Sequence, residues 1–266
     1  MKLQVLVSTM NQSNFKSLID RMRISTETLI INQCDKNEFE EFSYNRNRIR
    51  VMSLAERGIG LSRNTALMRA DAEICMFADD DLVYVDNYDQ ITIEEFKKNP
   101  KADIILFNIP STNIERPTCK IDRAKRVRWY NSHKYGAVNI VAKTESLKRA
   151  NVAFSLLFGG GARYSAGEDS MFILDCLRKG LKIYSSPKII GFVDQNESTW
   201  FKGYVDKYFI DKGIFYACTT KQLAPLLCLQ FAIRHRNLFK NDKSFVNAFL
   251  LMLEGTREWN KKVNCL

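Results

Sequence analysis

The chain is expected to be an α/β protein, with a mostly parallel sheet flanked by helices and a helical C-terminal extension. Three observations predict this. Five short apolar runs with strand character recur through the first half, at 3–8, 28–33, 48–54, 73–78 and 103–108. Segments with helical spacing lie among them, and such alternation favours a doubly wound sheet covered by helices. From about residue 198 onward strand signals stop, and long apolar helical segments take over.

The elements follow in order. "LQVLVS" (3–8) is a first strand, and in "SNFKSLIDRM" (13–22) Phe15, Leu18, Ile19 and Met22 recur at helical spacing. "TLIINQ" (28–33) and "RIRVMSL" (48–54) are strands, "LSRNTALMRADA" (61–72) is a helix, and "EICMFA" and "DIILFN" are strands again. Residues 110–136 carry Lys120, Arg123, Lys125, Arg126 and Arg128 and read as a long loop or flap. "VNIVA" (138–142) is a strand and "KTESLKRA" (143–150) a short helix. Glu168 and Asp169 open a further helix that stops at Gly180, with the strand "LKIYSS" behind it. Beyond 198, Trp200, Tyr204 and Tyr208 recur every fourth residue with Phe201, Val205 and Phe209 beside them. Two more apolar segments, 223–233 and 245–253, flank a basic connector.

Composition narrows the classes. A length of 266 residues suits one large domain or a domain with an appendage, and 45% hydrophobic residues can fill a core. The formal charge of +10 favours anionic partners. Seven scattered cysteines with no CxxC pair argue against zinc ribbons and redox motifs, and a reducing cytosol is expected. The opening "MKLQVLVSTMNQ" is too short and alternating in its apolar part for a signal peptide. No run of apolar residues is long enough for a transmembrane helix.

The chemistry-bearing stretch is "FADDD". Asp79, Asp80 and Asp81 stand at the carboxyl end of a buried strand, where doubly wound sheets bind ligands. Asp is a common turn residue, but three adjacent carboxylates repel one another unless something positive joins them. Hard divalent cations pair one or two carboxylates with substrate phosphates. In an extended segment Asp79 and Asp81 share a side and Asp80 faces elsewhere. Arg63 falls on the helical face of Ala66, Leu67 and Ala70, turned toward the sheet near this rim. It either pairs with an aspartate or serves a ligand. Glu168 and Asp169 have an ordinary reading as acids complementing a helix N-terminus.

Taken together and in this order, the segments resemble the family 2 glycosyltransferases. The carriers are Thr9-Met10-Asn11 after the first strand, "INQCD" closing the second and Arg63-Asn64 opening a helix. "FADDD" and the "EDxxFxxxLxxxG" pattern from Glu168 to Gly180 complete the set. The resemblance covers about residues 1–195 and implies a GT-A, Rossmann-like fold. It implies an inverting, nucleotide-sugar-dependent enzyme with Mn2+ or Mg2+ as cofactor. Donor contacts would come from Thr9, Asn11, Gln33, Arg63, Asn64, Asp79 and Asp80, and metal ligation from Asp81 and Asp79. Asp169 would be the general base with Glu168 supporting it. Gln33 stands where relatives often carry an Asp, which leaves the base of the nucleotide open, with uracil favoured. Relatives often add a His ligand after the Glu-Asp helix. Here Asp194, Gln195 and Ser198 occupy that stretch, and the two histidines, His133 and His235, lie elsewhere.

The expected organisation is a catalytic region 1–197, divided into a nucleotide-binding half (1–109) and an acceptor half (110–197), followed by 198–266. The last region would cover the core, rest on an anionic membrane surface, or pack in a homodimer. Expected partners are a nucleotide-sugar donor and a glycan or lipid-linked acceptor of surface polysaccharide synthesis, with no nucleic acid. A cytoplasmic place, peripheral on the inner face of the cell membrane, would follow. Two other classes compete: a nucleotidyltransferase, disfavoured because no Gly-rich, Lys-bearing phosphate loop follows the first strand, and a basic scaffold or nucleic-acid binder, which lacks any recognised signature.

Overall fold

The computed structural model describes residues 1–114, 116–194 and 203–264. In chain order its elements are β1 (Leu3–Met10), α1 (Phe15–Met22), β2 (Glu27–Gln33), β3 (Glu38–Tyr44), β4 (Asn47–Leu54), α2 (Ile59–Arg69), β5 (Ile74–Asp79), β6 (Leu82–Tyr84), α3 (Tyr88–Lys98), β7 (Ile104–Asn108), β8 (Lys125–Arg126), β9 (Ile140–Lys143), α4 (Thr144–Ala150), α5 (Glu168–Arg178), β10 (Ile183–Ile189), β11 (Gly191–Val193), α6 (Asp206–Thr220), α7 (Ala224–Phe239) and α8 (Phe245–Asn264). The chain divides into two compact units: Met1–Leu156 with Glu168–Glu197, and Leu157–Gly167 with Ser198–Leu266.

The first unit is built on a nine-stranded sheet in the order β3-β4-β2-β1-β5-β9-β7-β10-β8. The strands β4, β2, β1, β5, β7 and β10 run one way, while β3, β9 and β8 are reversed. The mostly parallel α/β architecture is therefore the observed one. Strand β5 shows why apolar runs without alternation become central strands: Ile74 to Ala78 are all buried, on both faces. Met76 and Ala78 join a core with Val5, Val7 and Ile30, while Cys75 and Phe77 join another with Leu6, Leu29 and Ile31. Burial of Cys75 pushes its thiol up to about 11, as suits a small hydrophobe.

Several boundaries differ from the sequence reading. Helix α2 starts two residues earlier than 61 and ends at Arg69, because Ala70 turns extended (φ −60°, ψ 134°) to enter β5. The 110–136 region is not featureless. It contributes β8 to the sheet edge and buries Ile121, Val127 and Tyr135. The edge strand β3 and helix α3 were not foreseen.

In the second unit α6, α7 and α8 pack around Phe209, Cys228, Ala232, Phe239, Ala248 and Met252. Helices α6 and α8 approach closely through glycine. A Cβ at Gly213 would sit 1.9 Å from the Met252 carbonyl oxygen, and one at Gly255 would sit 2.1 Å from that of Ile210. Residues 157–167, which the sequence reading placed with the sheet, belong to this unit. They form a turn, with Gly159 and Gly161 at positive φ, closed by the Gly159 N–H on Tyr164 O at 2.9 Å. The helix expected from 198 begins at Asp206, so Tyr204 and Val205 precede it, and Trp200 and Phe201 lie outside the described residues. Among the described residues no helix is long and apolar enough to cross a membrane.

Candidate active site

Strands β1, β2 and β5 end side by side. Their register pairs Ser8 with Asp79, Thr9 with Asn32 and Met10 with Gln33, so the polar ends form one rim. Short bonds brace that rim. Thr9 Oγ1 donates to Asp80 Oδ2 at 2.5 Å. Asn11 adopts a left-handed backbone (φ 52°), and its N–H donates to Gln33 O at 2.9 Å. The Gln33 side-chain oxygen accepts the Gly58 N–H at 2.7 Å, which ties β2 to the start of α2. Asn32, also buried, holds the backbone of Gln12 through both ends of its amide.

From α2 comes Arg63, only 4% exposed. Its Nη2 donates to both oxygens of Asp79 at 2.9 and 3.0 Å. Its Nη1 donates to Asp169 Oδ1 at 2.8 Å and Glu168 Oε1 at 3.2 Å. The guanidinium also lies over the Phe154 ring, 5.5 Å from its centroid. Burial disfavours the Arg63 charge, but Asp79, Asp169 and Glu168 together hold its pKa above the ordinary value. Of the three crowded aspartates, Asp79 thus has a positive partner in Arg63.

The neighbouring Asn64 is committed to the backbone. Its Nδ2 donates to Phe154 O at 2.9 Å and its Oδ1 accepts the Phe154 N–H at 2.7 Å. Gly60 permits this approach, since a Cβ there would fall 2.5 Å from Ser155 O. The α2 start thus grips the 154–155 segment, which keeps Phe154 under Arg63.

One cation among three carboxylates leaves an excess of negative charge. Glu168 is buried, and burial followed by repulsion from Asp169 raises its pKa against the pull of Arg63. Asp169 is raised as well, chiefly by burial, with Arg63 and the Ala137 N–H opposing. Its side chain keeps 26% exposure, enough to meet an incoming group. A Cβ at Gly136 would be 3.6 Å from Asp169 Oδ2, and Ser170 Oγ donates to His133 O at 3.3 Å. The 133–137 backbone thus lines the Asp169 side of the site, a contribution no side-chain motif could announce.

Asp81 stands apart from the Arg63 cluster. Its Oδ1 is buried with no hydrogen-bond partner among the described residues. Burial, then the charges of Asp79 and Asp80, push its pKa up to about 7, with Asp194 adding to the effect. Asp194 is delivered by the β11–β6 ladder, and its N–H donates to Asp81 O at 3.2 Å. Among the described residues no three His, Cys, Asp or Glu side chains form a ready metal cage. A buried, unpaired carboxylate oxygen beside further acids still fits a hard cation that keeps water or phosphate ligands. Gln195 and Ser198 lie outside the described residues.

Residues 12–150 match the model of glycosyl transferase family 2. No curated protein matches the chain in sequence. Among solved structures, Staphylococcus aureus TarS 1–349 in complex with UDP-GlcNAc superposes with a TM-score of 0.66 at 16% identity, over 96% of this chain and 82% of that one. The same TarS fragment with UDP gives 0.63 at 15%, over 96% and 81%. A Pyrobaculum calidifontis mannosyltransferase in complex with GDP-Man and Mn2+ gives 0.53 at 13%, over 96% and 73%. At these identities the structural likeness speaks for the fold, which is GT-A. With more than half its length on the family model, the chain belongs to the family 2 glycosyltransferases.

Proposed function

We propose that this glycosyltransferase moves a sugar, with inversion, from a nucleoside diphosphate donor to a hydroxyl of a glycan or lipid-linked acceptor in surface polysaccharide synthesis. The observation that carries the reading is Arg63 joining Asp79, at the strand end, to Asp169, at the start of α5. Donor-side and acceptor-side carboxylates thereby share one fixed guanidinium. Thr9, Asn11, Gln33, Asp79 and Asp80 line the donor rim. Arg63 and Asn64, enclosed by protein partners, serve the donor by holding those groups in place. UDP is the favoured carrier, supported by the UDP and UDP-GlcNAc complexes of TarS.

Asp169 accepts the proton of the acceptor hydroxyl as its oxygen attacks the anomeric carbon and the bond to the diphosphate breaks. Its raised proton affinity, caused chiefly by burial, favours that task, and Glu168 keeps it oriented through Arg63. Asp81 and Asp79, with Asp194 beside Asp81, would hold Mn2+ or Mg2+. That cation, when bound, offsets the negative charge of the departing diphosphate. A panel of nucleotide sugars, with and without Mn2+, tests the reading through thermal stabilisation. A UDP-sugar should stabilise only with the cation, and a protein indifferent to the whole panel would refute it.

The second unit supports a membrane reading. Leu223, Leu226, Ile233 and Leu238 are exposed on and just before α7, and Val246 and Leu250 on α8. Arg234, Arg236 and Lys240 are exposed among them. Apolar anchors ringed by cations suit an anionic lipid surface, which would place the enzyme on the cytoplasmic side near a lipid-linked acceptor. Flotation with anionic vesicles, weakening with salt, is expected. Absence of flotation with a dimer in sedimentation would assign the face to a second copy instead.

A further inference from the structure

Trp129 and Tyr130 are 59% and 67% exposed, with ring centroids 5.7 Å apart and planes nearly perpendicular. Adjacent rings left in water mark binding surfaces more often than scattered ones do. These two are not on a loose tip. Val127, fully buried just before them, donates its N–H to Ile183 O at 2.9 Å. The Asn131 side chain accepts the Arg128 N–H at 2.9 Å, and the Asn131 N–H donates to Arg128 O at 3.1 Å. Ser132, also fully buried, donates its hydroxyl to Trp129 O at 2.9 Å, and buried Tyr135 closes the segment. The rings are displayed on a short 3-10 turn pinned at both ends.

The same segment runs to the candidate base. Four residues after Trp129, His133 O accepts from Ser170, the neighbour of Asp169, and the Ala137 N–H bonds to the Asp169 carboxylate. Even fully extended, four residues span at most about 14 Å, which bounds the reach from Trp129 to the His133 carbonyl beside Ser170, a length that a few linked sugar rings can follow.

We propose that Trp129 and Tyr130 form a stacking platform for a pyranose ring of the acceptor glycan. The inference rests on the reading of Asp169 as the base, because that role fixes where an acceptor hydroxyl must arrive. A pyranose offers a face of C–H groups rimmed by hydroxyls. Such a face matches the electron-rich surface of an indole or phenol ring while the hydroxyls stay hydrated. Pre-fixed rings with two torsions each lose little entropy on binding. The flanking Arg128 and Lys134 are exposed and break up any continuous apolar patch of the kind a protein or lipid partner would need.

Saturation-transfer NMR on the whole chain tests this with methyl glycosides of glucose, galactose, N-acetylglucosamine and mannose, run alone and with UDP and Mn2+. At least one glycoside should be saturated through its ring C–H protons. Joint substitution Trp129→Ala and Tyr130→Ala should weaken that binding at least tenfold, Trp129→Phe should retain most of it, and UDP affinity should be unchanged in both. Binding of no glycoside, or binding that survives the double substitution, overturns the platform. Failure of the wild type to bind UDP strikes the donor reading instead, and the glycoside series run alone still judges the platform.

Discussion

Arg63 holds Asp79 through a single terminal nitrogen that reaches both carboxylate oxygens, at 2.9 and 3.0 Å. Its second terminal nitrogen is left for Asp169 and Glu168. A planar fork with two separately aimed nitrogens can do this, and a lysine ammonium cannot.

Arg63→Ala should therefore strand three carboxylates, of which Glu168 is buried and Asp79 and Asp169 are partly so. Removing one partner of a buried ion pair typically costs about 3–5 kcal/mol, and a loss of that size should appear in urea unfolding. Arg63→Lys should recover much of the stability but not transfer activity, because one point charge cannot keep both acid groups in position. A lysine variant with full activity would contradict the positioning role.

Asp169→Asn should leave UDP affinity within about twofold while transfer falls about a hundredfold to ten-thousandfold, the usual worth of a general base. Calorimetry and product assays together separate the two effects. An Asn variant with undiminished turnover would move the base elsewhere.

The state of Asp81 should be visible in the pH dependence of stability. Its native pKa is raised to about 7, whereas an unfolded aspartate ionises near 4. The native state therefore binds the extra proton between those values, so this group's contribution is fully favourable below about pH 4. That contribution is lost as pH rises toward 7 and stays lost above it. In chelator, wild-type Tm should fall relative to Asp81→Asn across this window, and the gap should then level off. The same substitution should abolish Mn2+-dependent UDP binding, because a neutral amide lacks the anionic oxygen that a hard cation prefers.

Gly213→Ala tests the α6–α8 crossing. Alanine improves intrinsic helix propensity by about 1 kcal/mol, yet its Cβ would lie 1.9 Å from a backbone oxygen. Overpacking costs about 1–3 kcal/mol where side chains can yield, and a backbone yields less, so net destabilisation is expected in chemical denaturation. A stabilised variant would mean that the helices separate freely.

How much of this was legible beforehand differs by element. Strand β5 and its acids were plain, because a run buried on both faces has no polar interruptions and the aspartates mark its end. Helix α3 was hidden. It starts at Asn87 in a left-handed conformation with no side-chain cap, and its buried side includes Thr92 and Glu95. Glu95 finds its partner in Ser186, 91 residues away, at 2.9 Å. Edge strand β3 was equally hidden, since its glutamates face water on an edge and leave little apolar alternation. Sequence spacing could turn Arg63 toward the sheet. It could not show Glu168 and Asp169 arriving from more than a hundred residues downstream, because such meetings are settled by topology rather than by local pattern.

The reversed strand β9, lying between β5 and β7, has a consequence for how such enzymes can diversify. Reversal brings the chain ahead of that strand to the edge where the parallel strands finish, so on the proposed platform the sugar-accepting molecule would meet a stretch that precedes a strand. Only the exposed side chains of that stretch, Trp129 and Tyr130 among them, are open to exchange, because Val127, Ser132 and Tyr135 are buried. If the proposed platform receives the acceptor, its two positions would be where acceptor choice is retuned, apart from the strand ends that face the donor.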